Sequence, residues 1–408
     1  MLRPSSSHRR HIFLACGRLA LNYSTMKITP CLFAALFLSI TCFTLASSAQ
    51  ESSDTHYLTL IGTYTNKTKS KGIYAGDFDS ESGHLKIRGV AAEVPDPSWI
   101  VIHPNGKWVY AANESGKQSA VTAFTLNAHS AKLTQLNRLP ALGEDPCYLS
   151  FDKTGKFLFV ANYTSGNVVV FPILANGKLG QHTALMSDAG TPGPNKQRQE
   201  GPHAHWVQAS ADNRFVFVSD LGLDAILSYR FDAERGTLTP NDPPLAKLNP
   251  GAGPRHVVFS PNGKYVYVVS ELNSTITAFS YNASKGTLSE FQIVSTLLST
   301  YTARNDTAEI TVDSSARWLF ASNRGHDTVS VFSISPADGS VEPVGEYPTG
   351  GKEPRHFAVD PTGHYLLAEN QNSDTIVVFR IDPATGALTK VSQTDDIPSP
   401  VCIAFLAH

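Results

Sequence analysis

The chain has 408 residues, of which 41% are hydrophobic and 17% are charged, and its formal net charge at pH 7 is -2. This nearly balanced charge, with no acidic or basic tail, gives no indication of a nucleic-acid partner. The 29 glycines and 25 prolines are typical of a chain with many tight turns.

The first predicted element is a targeting segment. Met26-Lys27 precedes an apolar run over 32–45 and then four small residues, which is the basic, hydrophobic, small-residue order of a secretory signal. We therefore expect residues 1–49 to be an N-terminal extension and signal peptide, with Met26 as the start, and residues 50–408 to form one domain. The expected localisation is periplasmic or secreted, with membrane contact only if the segment stays uncleaved.

The cysteines are few and unevenly placed. Cys16, Cys31 and Cys42 fall in the targeting segment, so only Cys147 and Cys402 remain after its removal. Two cysteines in so large an exported domain do not make a disulfide framework. Because they lie in different repeats, we expect two buried free thiols.

Downstream, one phrase recurs: an apolar run leads through a polar turn to a second apolar run that opens with an aromatic residue. These aromatic residues follow one another at intervals of 49, 58, 50, 53 and 47 positions. Self-similarity at this period, built from short strands and turns, is typical of propeller blades. The six copies are Trp99–Val109, Tyr148–Leu158, Val207–Val216, Val257–Val266, Ile310–Leu319 and Phe357–Leu366.

A seventh copy is divided between the ends of this domain. Tyr57–Ile61 supplies its second run and Val401–Leu406 supplies its first. Pairing of the two ends closes the ring and leaves no open sheet edge. The sequence therefore predicts an all-β fold: a seven-bladed β-propeller of four-stranded antiparallel blades, closed by pairing of the C-terminal strand with the N-terminal blade.

The chemically rich residues concentrate at one mouth of the predicted central channel. Each first run begins there and each second run ends there, whereas the turns between them lie at the opposite mouth. Those turns are ordinary Asn-Gly, Thr-Gly and Asp-Asn types. The rich mouth carries basic, acidic and amide side chains: Arg255, Arg324, Arg355, His203, His205, His256, His356, Glu271, Glu309, Asn162, Asn323 and Gln371.

This composition indicates a site for a small anionic or polyhydroxylated substrate. Arginine offers forked donors to a carboxylate, a phosphate or a developing oxyanion, and a carboxylate or histidine nearby can remove a proton. The chain has no Gly-x-Ser-x-Gly elbow, which favours direct attack by water. A metal site of His203, His205 and Glu271 is the weaker alternative because the arginines repel a cation, so no metal or cofactor is expected. We expect Asp220 to order a loop.

Several motifs resemble those of a known family. It is the family of seven-bladed propeller lactonases, of the bacterial 6-phosphogluconolactonase type, to which the fungal carboxymuconate lactonising enzymes are related. The resemblance covers the chain from about Tyr57 to the C-terminus. The motifs that carry it are Gly201–Trp206 (GPHAHW), Ser219–Gly222 (SDLG), Gly253–His256 (GPRH), Ser270–Leu272 (SEL) and Ser322–Gly325 (SNRG).

The resemblance implies a hydrolase that opens a sugar lactone, with His203, Arg255, Glu271 and Arg324 as catalytic residues. Glu271 or His203 would act as general base on water, and the two arginines would hold the substrate's anionic part or the tetrahedral oxyanion. We expect Glu271→Gln to abolish hydrolysis without changing the melting temperature. The expected substrate-binding residues are His205, His256, Asn162, Asn323, Glu309, Arg355 and Gln371.

The predicted export signal bears on the identity of the substrate but not on the lactone-opening chemistry. A phosphorylated sugar lactone is not expected outside the cytoplasm, so an unphosphorylated aldonolactone is at least as good a candidate. The expected partner is a small sugar lactone bound by a monomer. Two alternatives stay open: a lyase or cycloisomerase that uses the same carboxylate and arginines, and a binding propeller without catalysis.

Overall fold

The structure is a computed structural model, and it describes residues 55–297, 301–395 and 397–406. The predicted signal peptide, the predicted start at Met26 and the three N-terminal cysteines lie outside the described residues. Within the described part of the chain, no helix is long and apolar enough to cross a membrane.

Strands account for nearly all regular structure in the described residues, since the only helices there are single 3₁₀ turns at Gly116–Gln118 and Gln371–Ser373. In chain order the strands are β1 (His56–Thr63), β2 (Gly72–Asp79), β3 (His84–Glu93), β4 (Pro97–Ile102), β5 (Trp108–Asn113), β6 (Ala120–Asn127), β7 (Lys132–Pro140), β8 (Pro146–Phe151), β9 (Phe157–Asn162), β10 (Asn167–Pro172), β11 (Ala184–Ser187), β12 (Ala204–Ala209), β13 (Phe215–Asp220), β14 (Ala225–Asp232), β15 (Thr237–Lys247), β16 (Pro254–Phe259), β17 (Tyr265–Ser270), β18 (Thr275–Asn282), β19 (Thr287–Ser295), β20 (Asp306–Val312), β21 (Trp318–Arg324), β22 (Thr328–Ile334), β23 (Val341–Pro348), β24 (Pro354–Val359), β25 (Tyr365–Asn370), β26 (Thr375–Ile381), β27 (Leu388–Asp395) and β28 (Pro400–Phe405).

The described strands form seven four-stranded antiparallel sheets. Blade 1 joins β28 to β1, β2 and β3, and blades 2 to 7 each use four consecutive strands, which we letter A to D from the channel outward. Strand β28 pairs with β1 so that Ala404 lies opposite Leu60 and Ile403 opposite Ile61. The predicted seven-bladed propeller, closed by the C-terminal strand, is therefore confirmed.

Turn chemistry explains the sequence of the repeated phrase. In blade 2 the turn between strands A and B places Gly106 at φ +69°, and its N–H donates to the carbonyl of His103 at 2.8 Å. Side chains are strained at this φ, so glycine is favoured. In blade 3 the carboxylate of Asp152 accepts the N–H of Phe157 at 2.9 Å and links the two ends of the turn.

The hydrophobic core lies between neighbouring blades rather than at one centre. Blade 4 contributes Trp206 and Phe217 to a cluster with Val257 and Val268 of blade 5. The inner strands are covered on both faces, and all six residues of β9 are buried. Burial of apolar surface contributes about 25 cal/mol per Å² to stability. Because each blade buries such surface against both neighbours, its stability depends on both.

A cluster of aromatic rings closes the central channel. The rings of Trp99 and Tyr148 lie 4.3 Å apart, and His256 and His356 meet Trp99 edge-on at 5.4 and 5.2 Å. We call these four residues the ring plug. A cavity of about 470 Å³ lies on the side of the A–B turns and is lined in part by Trp99, Tyr148 and His356. The ring plug therefore forms a floor for the opposite, chemically rich mouth.

Candidate functional site

The innermost strand of each blade is kinked close to where it begins at the rich mouth. Such a bulge leaves a residue unpaired and redirects its side chain. In blades 3, 4, 5 and 7 the affected residues include Cys147, His205, Arg255 and Arg355. The shifts in pairing lie between Pro146 and Tyr148, Ala204 and Trp206, Pro254 and Val257, and Pro354 and His356.

A cavity of about 300 Å³ lies at this mouth, and we call it the reaction cavity. Its lining contains four arginines and two glutamates, an excess of positive charge that favours an anionic ligand or transition state. The predicted site residues among its lining are His205, Glu271, Arg324 and Arg355. The remaining lining residues are Glu114, Cys147, Tyr163, Arg198 and Arg304.

Glu271 is the hub of this cavity. Its Oε2 lies 3.0 Å from Nε of Arg255 and 3.0 Å from Nη2 of Arg324, and its Oε1 accepts a hydrogen bond from Arg198. Burial acts to raise the pKa of Glu271, but Arg324, Arg255 and Arg198 together outweigh burial and hold it at about 2. The carboxylate therefore stays ionised and is a weak base.

Arg255 supports the hub from beneath. Its side chain is only 2% exposed, does not line the cavity, and donates from Nη1 to the carbonyl of Ala308 at 2.7 Å. Burial, together with the charges of Arg324 and Arg355, lowers the pKa of Arg255 to about 10. Within the described residues, Nε of Arg255 and Nη2 of Arg324 have no hydrogen-bond acceptor despite their closeness to Glu271. Both atoms are buried and interact with Glu271 as ion-pair partners.

His203 reaches the cavity only through Tyr163. Its ring stacks on Tyr163 with centroids 4.6 Å apart, and its Nδ1 lies 3.0 Å from the Tyr163 carbonyl. Because a carbonyl oxygen can only accept, this contact places the proton of the neutral ring on Nδ1. Nε2 is then unprotonated, and it lies 3.3 Å from the exposed Glu200. Asp220 accepts the backbone N–H groups of His203 and Leu223, both at 2.9 Å, so its predicted loop-ordering role is confirmed.

The structure does not bring the three predicted amides to the reaction cavity. Asn162 and Asn323 are fully buried, and their Nδ2 atoms donate to the carbonyl of Ala141 and to the hydroxyl of Ser330 on β22. These hydrogen bonds hold both amides away from the reaction cavity. Gln371 lines a neighbouring groove instead.

His256 and Glu309 lie deeper than expected. Strand β20 begins at Asp306 rather than near Ala308, so Glu309 lies inside the channel and not at its rim. Its Oε2 accepts the Nδ1 proton of His256 at 2.9 Å. Burial, reinforced by Arg255, outweighs Glu309 and lowers the pKa of His256 to about 4. His256 therefore contributes a neutral ring to the floor of the cavity.

Two arginines of the reaction cavity are not predicted by the sequence pattern. Arg198 precedes β12 and Arg304 precedes β20, and both lie outside the repeated phrase. Arg304 forms an ion pair with Asp306, and Nη1 of Arg198 lies 4.0 Å from the same carboxylate. The spacing of the repeats does indicate these two loops. The intervals of 58 and 53 residues between successive aromatic residues are the two longest, and the additional residues in both intervals lead into the rich mouth.

Two motif glycines are required by close backbone contacts. Gly325 has φ +108°, and a Cβ there would lie 2.3 Å from the carbonyl oxygen of Arg304. A Cβ on Gly222 would lie 1.8 Å from the carbonyl oxygen of Gly201. Glycine at these positions lets the loops that carry Arg304 and His203 approach the ends of the B strands.

Among the described residues, no group of three or more His, Cys, Asp or Glu side chains is arranged to hold a metal ion, so His203, His205 and Glu271 do not form such a cluster. Cys147 and Cys402 are buried free thiols, as predicted.

The fold and this site define a class of protein: a seven-bladed propeller with a cationic, carboxylate-centred cavity at one mouth. Residues 58–405 match the family described as lactonase, seven-bladed beta-propeller. The chain therefore belongs to the seven-bladed β-propeller lactonase family, and it is a lactonase.

Similar proteins agree with the expected family. The 6-phosphogluconolactonase of Bacillus subtilis strain 168 is 35% identical over 352 residues, which cover 86% of this chain and 99% of that protein. The periplasmic gluconolactonase of Pseudomonas aeruginosa has a TM-score of 0.81 at 30% identity, covering 86% of this chain and 99% of that one. A Bacteroides fragilis protein has a TM-score of 0.81 at 35% identity, covering 87% and 99%.

Proposed function

We propose that this lactonase is exported and hydrolyses an aldonolactone by direct attack of water. The observation that carries the proposal is the arrangement of three arginines around the single carboxylate of Glu271, beside a neutral histidine, in a cavity of about 300 Å³. A lactone carbonyl gains negative charge as water adds to it. A cavity rich in preorganised guanidinium groups stabilises that charge.

Arg324 is the best placed oxyanion donor. It lines the cavity, and its orientation is fixed by the ion pair with Glu271 and by a 3.1 Å hydrogen bond from Nε to the Asp306 carbonyl. Glu271 acts on the reaction by holding Arg198, Arg255 and Arg324. It is therefore a positioning residue in this proposal.

His205 is the proposed general base. It lines the reaction cavity, and burial together with Arg255 keeps its pKa well below the usual value, so the imidazole is neutral and can accept a proton from water. Glu271 is excluded because Arg198, Arg255 and Arg324 engage both of its oxygens. His203 is the alternative base, since its ring stacks on Tyr163, which lines the cavity.

The proposed substrate is an unphosphorylated aldonolactone. The relatives are named for two substrates, 6-phosphogluconolactone and gluconolactone, and the second of these enzymes is periplasmic. The secretory pattern before Gln50 favours the second kind of substrate for this chain. The proposed location is accordingly the periplasm or the medium.

The test measures hydrolysis of glucono-δ-lactone and of 6-phosphogluconolactone by the purified protein, with spontaneous opening subtracted and with EDTA as a control. We expect acceleration of glucono-δ-lactone that EDTA does not remove. His205→Gln should lower kcat by roughly 10²- to 10⁴-fold, while the exposed control His129→Gln should not. Loss in His203→Gln but not in His205→Gln would transfer the base to His203, and no acceleration of either lactone would refute the proposal.

A further inference from the structure

A second cavity adjoins the reaction cavity at the same mouth. It encloses about 740 Å³ between blades 7, 1 and 2, and we call it the side groove. Tyr64 and Glu114 line the groove, and Glu114 also lines the reaction cavity. Pockets that enclose a whole small ligand typically measure about 300 to 1,000 Å³. The reaction cavity is at the lower end of that range, and the groove adds room for a further ring.

The junction between the two cavities is a fixed ridge. The hydroxyl of Tyr64 donates to Oε2 of Glu114 at 2.8 Å, and the guanidinium of Arg355 lies over the Tyr64 ring at 5.3 Å. Nη2 of Arg355 lies 3.9 Å from the same glutamate oxygen. A ligand that fills both cavities must therefore cross a ridge of one aromatic and two polar side chains.

The wall of the groove is preorganised. The loop after β1 is tied down by Asp96, whose Oδ1 accepts the N–H groups of Thr65 and Asn66 at 2.8 and 2.9 Å. On the other side, Asp374 accepts the N–H of Ser399 at 2.8 Å. Because both carboxylates are committed to the backbone, they hold the shape of the groove rather than offer charge to a ligand.

Several polar side chains of the groove are uncommitted. Asn66, Lys67, Lys69, Gln371 and Asn372 make no side-chain hydrogen bond or ion pair with any described residue, and all five line the groove. Such a set offers amide donors and acceptors and ammonium donors over a short distance. The groove has one aromatic lining residue, Tyr64, and no aliphatic one, so a hydrocarbon chain would find no apolar partner there.

The charge pattern distinguishes the two cavities. Four arginines line the reaction cavity, whereas the groove carries two lysines and three carboxylates, of which two are engaged with the backbone. An oxyanion therefore belongs in the reaction cavity, and an uncharged, hydroxyl-rich group belongs in the groove. One molecule that combines both is a lactone bearing a sugar.

We propose that the side groove binds an uncharged glycosyl unit attached to the lactone ring, so that the preferred substrates are disaccharide aldonolactones rather than free monosaccharide lactones. This inference rests on the proposed function. The lactone occupies the reaction cavity, its glycosyl unit crosses the Tyr64–Glu114 ridge, and Asn66, Asn372 and Gln371 hydrogen-bond its hydroxyls. Gln371 thereby keeps a substrate-binding role, at a different place from the lactone.

The test compares kcat/KM for three lactones: glucono-δ-lactone, the 4-O-linked cellobiono-δ-lactone and the 6-O-linked melibiono-δ-lactone. We expect at least one disaccharide lactone to exceed glucono-δ-lactone by tenfold or more, chiefly through a lower KM. The double variant Asn66→Ala/Asn372→Ala should return that value towards the monosaccharide value and leave hydrolysis of glucono-δ-lactone unchanged. Asn105→Ala, in an A–B turn at the opposite mouth, is the matched control and should alter neither.

The outcomes separate this inference from the proposed function. Hydrolysis of glucono-δ-lactone with equal or slower hydrolysis of both disaccharide lactones would overturn the groove inference and leave the proposed function standing. A preference for a disaccharide lactone that the double variant does not reduce would also overturn it, because the glycosyl unit would then bind elsewhere. No acceleration of any of the three lactones would refute both.

Discussion

Arg255 and Glu271 form a nearly dry ion pair in blade 5, with Nε 3.0 Å from Oε2 and side chains only 2% and 5% exposed. Opposite charges that have both lost their water stabilise a fold only while they remain paired. Glu271 holds Arg324 and Arg198 through the same carboxylate. The geometry of the reaction cavity and part of the stability of the propeller therefore depend on one side chain.

Glu271→Gln is expected to lose activity and stability together. Removing the negative charge leaves Arg255 buried without a counter-ion, which costs about 3 to 5 kcal/mol, and frees Arg324 and Arg198 to move. The structure thus changes the sequence-based expectation of an unaltered melting temperature. Urea unfolding and kcat are the measurements, with exposed Glu290→Gln on β19 as control. A variant that is inactive but fully stable would contradict the structural part of the argument.

Cys147→Ser is expected to retain activity although Cys147 lines the reaction cavity. Burial raises the pKa of this thiol, and Sγ lies within 3.7 Å of the Ala204 and His205 carbonyls, so it is a donor and not a thiolate. Only the thiolate is an effective nucleophile. Steady-state kcat and inactivation by iodoacetamide test the point. A loss of activity in Cys147→Ser as large as that in His205→Gln would instead indicate covalent catalysis.

Gly325→Ala is expected to damage the site more than the fold. The added Cβ would collide with the Arg304 carbonyl and displace either that loop or the end of β21, which carries Arg324. Gly263 provides a matched control, because it also has positive φ but a Cβ there meets nothing within 4 Å. Both alanine variants should lose roughly 1 to 3 kcal/mol of unfolding free energy from backbone strain, and Gly325→Ala should lose more than Gly263→Ala because its Cβ must also displace backbone. Only Gly325→Ala should lower kcat/KM, and an equal effect of both on activity would count against this account.

The sequence predicts the fold because the repeat is local, whereas it predicts the site only where the site belongs to the repeat. Glu271 directly follows strand B of blade 5 and Arg324 is the last residue of strand B of blade 6, so the period alone brings them to one mouth. Arg198 and Arg304 come from insertions, and no periodicity places an insertion. Asn162 follows the period too, but hydrogen-bond demand inside the blade turns its side chain away from the channel.

The stability of the ring plug is expected to fall at high pH because of His356. Its Nδ1 is hydrogen-bonded to Glu369, and its Nε2 lies 3.6 Å from Glu309. Burial acts to lower the pKa of His356, but Glu369 and Glu309 outweigh it and raise the pKa. The folded protein therefore holds this proton more tightly than the unfolded chain, whose histidine pKa is about 6.5. The stabilisation is complete below that pH and is lost as pH rises through the raised value.

The corresponding measurement is the free energy of unfolding from pH 5 to 9 for the wild type and for His356→Gln. The wild-type curve should fall more steeply above about pH 6.5, and the variant should lack that fall. His129→Gln, an exposed histidine at the end of a C strand, is the control. Parallel curves for the wild type and His356→Gln would show that His356 keeps an ordinary pKa.

Asp188→Asn is expected to stabilise the protein at neutral pH. Asp188 and Asp220 are two buried, interacting carboxyl groups, and each Oδ2 lacks a hydrogen-bond partner among the described residues. Burial and the neighbouring Asp220 raise the pKa of Asp188 well above its usual value. The folded state thus favours the protonated acid, so the free energy of unfolding falls as pH rises from about 3.9, and the penalty is complete only above the raised value.

Asparagine at position 188 removes the charge and keeps an acceptor for the Tyr229 hydroxyl, which donates to Oδ1 at 3.2 Å. We expect a gain of roughly 1 to 3 kcal/mol at pH 7 and a smaller pH dependence between pH 4 and 7, measured by urea unfolding against exposed Asp395→Asn. Since Asp220 keeps its bonds to the His203 and Leu223 N–H groups, kcat should not change. A variant less stable than the wild type would mean that a positive charge compensates ionised Asp188 in the folded protein.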